Sequence, residues 1–167
     1  MNPLPIDHPA LSLDAYRVVA RGELAVAEQL SRPQCPACGG SGYATREVDD
    51  VLTTGRCRCQ MLPDRIQLFN QARIPARYVH ATFVSFAQSD TGQLKDLDPS
   101  AIRALGVCSQ FVDSYVSGEP VRGLTLFGDV GRGKTHLLIA MVRELIFRHG
   151  IAVRFMEFSR LLSLLKE

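Results

Sequence analysis

The sequence predicts an α/β fold preceded by a small helical and metal-binding N-terminal region. Three observations support this prediction. An apolar strand, a glycine-rich loop and a segment of helical periodicity follow one another between residues 123 and 149. A second apolar strand over 151–156 and a helix from Ser159 continue the order βαβα, which is typical of a parallel sheet. Upstream, four cysteines in two close pairs indicate a separate module.

Composition places the chain among ordinary globular proteins. It has 167 residues, of which 46% are hydrophobic and 22% are charged, with a formal net charge of +2. Its apolar runs are shorter than the roughly 20 residues of a membrane span. The first 14 residues contain two aspartates and lack the features of a secretory signal. We expect a cytoplasmic protein with no membrane association, in which cysteines do not form a disulfide framework.

The N-terminal half begins with a segment of imperfect helical period. Leucine and valine recur through residues 10–31, so one helix or two short ones are expected, ending at Pro33. The proline- and glycine-rich residues that follow, up to the second cysteine pair, predict a small loop-rich module. Pro63 then opens a short helix that runs to about Ala72.

The middle of the chain is predicted to hold an exposed loop and a helix. Residues 87–98 are polar and are expected to form a linker. Asp98 is a good N-cap for a helix that Gly118 and Pro120 end. Cys108 falls on the apolar face of this helix, so we expect a buried core thiol rather than a ligand.

Residues 128–135 fit the phosphate-binding pattern GxxxxGK[ST] at every fixed position. Glycines let successive backbone N–H groups turn around an anion, and the following helix adds its positive end. Lys134 is expected to bridge the β- and γ-phosphates, and the Thr135 hydroxyl to bind Mg²⁺. We therefore predict a nucleotide site formed by Gly128, Asp129, Val130, Gly131, Arg132, Gly133, Lys134, Thr135 and the adjoining His136.

The cysteine pairs are spaced as zinc ligands. Cys35 and Cys38 form a CxxC pair, and after 18 intervening residues Cys57 and Cys59 form a CxC pair. Four thiolates in two close pairs suit tetrahedral Zn²⁺, and a closed shell of four sulfurs predicts a structural role. Four free thiols, or a redox CxxC pair, are the alternatives.

Arginines surround the cysteine module in the sequence. They could contact nucleic acid or an acidic partner, or form a solvated basic rim. The residues concerned are Arg32, Arg46, Arg56, Arg58 and Arg65.

Three segments carry a resemblance to a known family. They are RIPARYVHATFVSF at 73–86, GLTLFGDVGRGKTHLLIA at 123–140 and GIAVRFMEFSRLLSLLKE at 150–167. Over about residues 60–167 the chain resembles the AAA+ helicase loaders of the DnaC and DnaI type and the related IstB transposition helpers. The segment before the loop and the GKTHL continuation are typical of that group.

The resemblance implies an ATP-binding protein that acts in DNA replication. By it, Tyr78 lies near the adenine, ATP and Mg²⁺ are bound, and the partners are a replicative helicase, single-stranded DNA and other copies of the chain. The cysteine module is similar to the zinc-bearing domain by which some loaders grip the helicase. IstB proteins generally lack this module, which favours a loader. A transposition helper and a non-enzymatic zinc adaptor with a vestigial nucleotide core are the alternatives.

The chain departs from this pattern beyond Thr135. Hydrolysis needs acidic Walker B residues at the end of a third strand, which only 32 further residues do not supply. Glu157 ends the one strand available, but in the family that strand is the second, at the sheet edge. Sensor residues, an arginine finger and a lid domain are also missing. We expect a fragment of a longer protein, with no catalytic residue assigned and no hydrolysis by these residues alone.

These expectations divide the chain into four regions. Residues 1–32 form an N-terminal helical region and 33–62 a zinc-binding module. Residues 63–98 are the linker and first segment of the AAA+ core, and 99–167 begin an incomplete P-loop ATPase domain.

Overall fold

The computed structural model of the protein describes residues 15–30, 35–36, 38–48, 51–88, 98–115 and 123–164. The first described element is a β-hairpin. Strands β1 (Tyr16–Arg21) and β2 (Leu24–Gln29) pair antiparallel, from Tyr16 opposite Gln29 to Arg21 opposite Leu24. The two-residue turn contains Gly22 at φ +58°, a left-handed conformation that glycine adopts at low cost.

The helix predicted across residues 10–31 is therefore wrong where the structure describes that segment. Ala25 and Ala27 are buried on one face of β2 while Glu28 and Gln29 lie further out. This alternation has the period of a strand, and the glycine in a two-residue turn fixes the pairing. Residues 10–14 and 31 lie outside the described residues.

A second hairpin separates the two cysteine pairs. Strands β3 (Tyr43–Val48) and β4 (Val51–Arg56) pair antiparallel, and every residue of β4 is exposed. The module predicted as loop-rich thus has a regular hairpin at its centre. A 3₁₀ turn, Arg58–Met61, then leads directly into helix α1 (Leu62–Gln71), which confirms the helix predicted from Pro63 to Ala72.

Two further elements precede the glycine loop. A 3₁₀ turn, Ala76–Tyr78, is followed by the short helix α2 (Phe83–Ala87), where Thr82 and Ser85 form a reciprocal capping box. Helix α3 (Pro99–Asp113) begins as predicted, with the Asp98 carboxylate accepting a hydrogen bond from the Ser100 N–H. Most of the predicted 87–98 loop, and the helix stop at Gly118 and Pro120, lie outside the described residues.

The helix predicted after the glycine loop is confirmed. Helix α4 (Lys134–Glu144) continues through a π-helical turn, Leu145–His149, and ends at Gly150, whose φ is +70°. Helix α5 (Phe158–Leu164) follows the last extended segment and matches the helix predicted from Ser159. Among the described residues, no helix has the length and apolar character needed to cross a membrane.

The strands predicted at residues 123–127 and 151–156 do not form. In the part of the chain that the structure describes, both segments are extended but neither pairs with another strand, and the sheets are the two hairpins. A strand needs a hydrogen-bonded neighbour. In the sheet that the resemblance implies, other strands stand between these two, so neither is expected to be the neighbour of the other.

Apolar side chains form two clusters that meet at helix α4. One contains the first hairpin, α1 and the π-helical turn, including Phe69, Ile74 and Phe147. The other contains α3 and the opposite face of α4, including Cys108, which is fully buried as predicted. Because α4 is covered on both sides, its first turn and the glycine loop before it have a fixed place in the fold.

Candidate nucleotide and metal sites

The loop at residues 128–133 has a backbone that requires its glycines. Gly128, Gly131 and Gly133 have φ values of +140°, +82° and +79°, which side chains disfavour. Gly133 is the N-cap of α4, so the helix starts at Lys134. The loop faces solvent, since Val130 is 99% exposed. The predicted phosphate-binding segment is therefore turned and open.

Lys134 folds back over this loop. Its ammonium donates hydrogen bonds to the carbonyl oxygens of Gly128 at 2.8 Å and Asp129 at 2.6 Å. The first α-helical hydrogen bond of α4 runs from the Leu137 N–H to the Gly133 carbonyl. The preceding N–H groups thus have no acceptor within the helix, and with the helix dipole they favour an anion at this end.

A cavity of about 230 Å³ lies beside the loop. Leu126, Phe127 and Leu137 contribute its apolar wall, while Gly128, Asp129 and Lys134 bring the loop to its edge. Arg132 turns toward the start of α3, where its guanidinium pairs with the Asp98 carboxylate at 3.2 Å. The loop thus adjoins a space that can take part of a ligand.

The last residue of the predicted nucleotide set, His136, contacts the short helix α2 and its N-cap. Its Nε2 lies 3.0 Å from the Ser85 hydroxyl and 3.0 Å from the Thr82 carbonyl oxygen, and its ring meets the edge of Phe86. His136 therefore joins α4 to the start of α2. This contact was not predicted from sequence, because it depends on two segments about 50 residues apart.

Tyr78 packs beside the segment that precedes α5, and Glu157 is the last residue of that segment. The Tyr78 ring packs against Phe155, with centroids 6.4 Å apart, and under the guanidinium of Arg77. The Glu157 carboxylate forms an ion pair with Arg77, and both side chains are exposed. The position of Tyr78 near an adenine remains a prediction.

The four predicted zinc ligands come together. The sulfur atoms of Cys35, Cys38, Cys57 and Cys59 all lie within 4.8 Å of one another. The cross-pair distances are 3.6 Å from Cys35 to Cys57 and 3.4 Å from Cys38 to Cys59. A zinc–sulfur bond of about 2.3 Å places tetrahedral ligands about 3.8 Å apart, so the cluster fits Zn²⁺.

Backbone hydrogen bonds place each cysteine pair. The Cys35 carbonyl accepts from the Cys38 N–H at 3.2 Å and from the Gly39 N–H at 2.7 Å, which bends the first pair into a tight turn. The Cys57 N–H donates to the Gly42 carbonyl at 2.7 Å, which brings the second pair to the base of the second hairpin. The hairpin thus closes the distance between pairs that are far apart in sequence.

The surroundings of the sulfurs also suit a cation. Burial raises the pKa of the Cys38 thiol, but hydrogen bonds, chiefly from the Gly42 N–H and the Cys59 thiol, outweigh it and lower that pKa to about 6. Burial is the main reason that the pKa of Cys59 is raised. A bound metal would stabilise the thiolates that burial disfavours. The proximity of all four sulfurs favours this use over a single redox pair.

The predicted basic rim is only partly on the surface. Arg56 is exposed, but the Arg65 side chain is 1% exposed and lies inside the protein. Arg32 and the side chains of Arg46 and Arg58 fall outside the described residues. Arg65 lies next to Ile66 and one helical turn before Phe69. This spacing is the sequence signal that indicates a position near the apolar face of α1.

The comparisons with known proteins agree with the loop geometry. The family model described as IstB-like ATP binding protein matches residues 60–167, well over half of the chain. No curated protein and no solved structure matches the chain. The matched segment begins just after the fourth cysteine and includes the whole glycine loop. The chain therefore belongs to the family of IstB-like ATP-binding proteins, which are P-loop proteins of the AAA+ type.

Proposed function

We propose that this protein binds Mg²⁺-ATP at residues 128–135 and acts as an ATP-dependent helicase loader in DNA replication. The observation that carries the proposal is the glycine loop, turned at three left-handed positions and ending at the N-terminus of a buried helix. Such a loop offers backbone N–H groups and a helix dipole to phosphates. Family membership supports ATP as the nucleotide.

Two residues at the end of the loop then have defined tasks. Lys134 would exchange its hydrogen bonds to the Gly128 and Asp129 carbonyls for phosphate oxygens, and the Thr135 hydroxyl would bind Mg²⁺. The metal ion would neutralise phosphate charge. Glu157 is engaged by Arg77, and we assign no residue of the chain to hydrolysis. ATP would act by stabilising one packing of the chain with its partners.

The four-cysteine cluster would hold Zn²⁺ and present the second hairpin to the helicase. The strands β3 and β4 project from the cluster, and Tyr43, Val51 and Leu52 are 62%, 62% and 74% exposed. Exposed apolar residues on a metal-fixed hairpin are suited to contact another protein. Single-stranded DNA and further copies of the chain are additional proposed partners.

A transposition helper is the second candidate, and the family match to IstB-like proteins supports it as well. In that case the partner would be a transposase, and binding to duplex DNA would weaken strongly with salt. A non-enzymatic zinc adaptor is a third reading, in which partner binding would not respond to ATP.

The first experiment measures Mg²⁺-ATP binding by titration calorimetry. Lys134→Ala should abolish measurable binding, because it removes the ammonium that faces the phosphates. Arg17→Ala is the matched control, since it removes an exposed cation on β1 that pairs with Glu28. Equal affinity of Lys134→Ala and the unchanged protein would exclude the proposed nucleotide site.

The second experiment separates the partners. The zinc-loaded protein would be immobilised, and purified replicative helicase, transposase and duplex DNA would be passed over it with and without ATP. ATP-dependent binding of the helicase supports a loader, and binding of the transposase supports a transposition helper. Partner binding that is unchanged by ATP would favour the adaptor.

A further inference from the structure

Arg65 is a buried cation that joins two parts of the protein. It lies on α1 and is 1% exposed. One terminal nitrogen donates a hydrogen bond to the Ile146 carbonyl at 2.8 Å, and the other lies 3.7 Å from the Met61 sulfur. Met61 ends the turn that contains Cys59, whereas Ile146 belongs to the end of the nucleotide-site helix.

The end of that helix is shaped to receive the guanidinium. Gly150 closes the helix, and a Cβ atom at this position would lie 3.1 to 3.3 Å from the guanidinium of Arg65. The Ile146 carbonyl also accepts the Gly150 N–H, so it is one of the C-terminal carbonyls where a helix attracts a cation. Glycine therefore allows the guanidinium to approach the helix end closely.

Arg65 forms no ion pair within the described residues, although the charge of the neighbouring Asp64 carboxylate acts on it. None of the ion pairs there involves it, and its Nε is buried without a hydrogen-bond partner. Burial lowers the pKa of Arg65. A buried cation without an ion pair is costly for stability alone, and an apolar side chain would fill the same place at lower cost. A role in linking the two elements accounts for its presence.

No linker separates the four-cysteine cluster from helix α1, which contains Arg65. The Cys57 carbonyl accepts the Gln60 N–H at 3.0 Å, and the Cys59 carbonyl accepts the Leu62 N–H at the start of α1. Fixing Cys57 and Cys59 on a metal ion thus fixes the turn that contains Met61 and the first turn of α1. Arg65 is the fourth residue of that helix.

We propose that Arg65 is a positioning residue for the nucleotide site, through which metal binding at the four cysteines raises the affinity for Mg²⁺-ATP. The inference rests on the proposed function, since it requires both ligands to bind. Helix α4 and its π-helical turn form one rod from Lys134 to His149, about 24 Å long. A rod held at its carboxyl end by Arg65 carries Lys134 and Thr135 at the other end.

The coupling needs two states of the protein. In one, the cysteine module is ordered and Arg65 holds Ile146; in the other, the module is loose and this contact is lost. ATP shifts the balance only if it binds the first state more tightly. By linkage, ATP must then tighten metal binding by the same factor that the metal tightens ATP binding.

The test uses the full chain and measures the dissociation constant of Mg²⁺-ATP with zinc bound and after removal of zinc by a chelator. We expect about tenfold weaker binding without zinc, within the usual range of allosteric coupling. Arg65→Met should bind ATP with an affinity that no longer depends on zinc, and Arg65→Lys should restore part of the dependence. Arg143→Met is the control, because Arg143 is also a buried arginine, on α4, but donates to Val79 rather than joining α1.

A second readout keeps the inference testable if Arg65→Met fails to fold. The dissociation constant of zinc would be measured by competition with a coloured chelator in the unchanged protein, with and without ATP. Tighter zinc binding with ATP, by the same factor by which zinc tightens ATP binding, supports the coupling. Equal ATP affinity with and without zinc, with both ligands binding, would overturn it. Absence of ATP or zinc binding would instead contradict the proposed function, and the coupling with it.

Discussion

Gly133 is held by two constraints at the start of α4. Its φ is +79°, and a Cβ atom there would lie 2.5 Å from Cε2 of Phe86. A side chain at this position would strain the backbone and displace the aromatic ring. The glycine is therefore required by local packing as well as by the phosphate contact that we propose.

Replacing this glycine should impair folding and binding together. We expect Gly133→Ala to lower the free energy of unfolding by about 1–3 kcal/mol, because left-handed backbone is costly for alanine. Gly106→Ala is the control: it lies within α3 with open space around it, and should stabilise by about 0.5–1 kcal/mol. Urea denaturation of both variants checks the opposite signs, and a loss of stability in Gly106→Ala would contradict this reading.

His149 should make stability depend on pH. Burial, followed by the charges of Arg148 and Arg65, lowers its pKa below the ordinary value of 6.5. The unfolded chain then binds a proton more readily, so stability is full above about pH 6.5 and falls as the pH decreases through the folded pKa. Compared with the unchanged protein, His149→Gln should lose less stability between pH 7 and pH 5 in thermal denaturation. Equal losses would show that other groups control the dependence.

Among elements, the second hairpin is the one expected to depend most on the four-cysteine cluster. All of β4 is exposed, so the hairpin has little apolar packing of its own and is anchored through Cys57 and the Gly42 carbonyl. A short hairpin without a packed face is marginal in water. Near its base, Cys35, Cys57 and Cys59 are buried together with Ala44.

Metal removal should therefore loosen this element first. We expect faster amide exchange over residues 43–56 after chelation. Helix α3, which packs in the apolar cluster with α4, should keep its protection. Hydrogen exchange measured with and without chelator would show the difference. Unchanged protection of the hairpin would mean that the cysteine cluster needs no metal for its structure.

At the scale of the whole molecule, Phe147 joins three elements in one core. Its ring stacks on Tyr16 at 4.3 Å and approaches Phe69 at 5.6 Å, so it links the first hairpin, α1 and the π-helical turn. Because the two apolar clusters share α4, they are expected to unfold together. The packing around Phe147 thus supports the nucleotide site from a distance.

Truncating this ring should destabilise the whole protein. Phe147→Ala is expected to cost about 3–5 kcal/mol, from lost burial and the cavity left behind. Phe158→Ala, at a position 71% exposed, should change stability by less than about 0.5 kcal/mol. Chemical denaturation followed by circular dichroism would compare them. A similar cost for both would contradict the assignment of the core.

Local signals in the sequence predicted the corresponding elements correctly. The glycine spacing, the proline at the start of α1 and the Asp98 cap each act within a few residues, and the structure confirms the loop and helices they predict. The first hairpin was missed because leucine and valine fit a helical period as well as a strand. Contacts such as those of His136 and Arg65 join distant segments, and no local pattern contains them.

The order of the core elements along the chain has a practical consequence. The first hairpin packs against segments that follow the cysteine module in the sequence. The Ala25 N–H donates to the Ile74 carbonyl at 2.8 Å, and the Asn70 side chain on α1 forms hydrogen bonds with the backbone of Ala27. The module is thus an insertion between two pieces of one body. A truncated protein starting at residue 60 would strip the cover from α1 and Phe147 and expose apolar surface prone to aggregation. Excising the insertion and bridging its two ends would keep this cover and is the sounder way to isolate the predicted nucleotide-binding part.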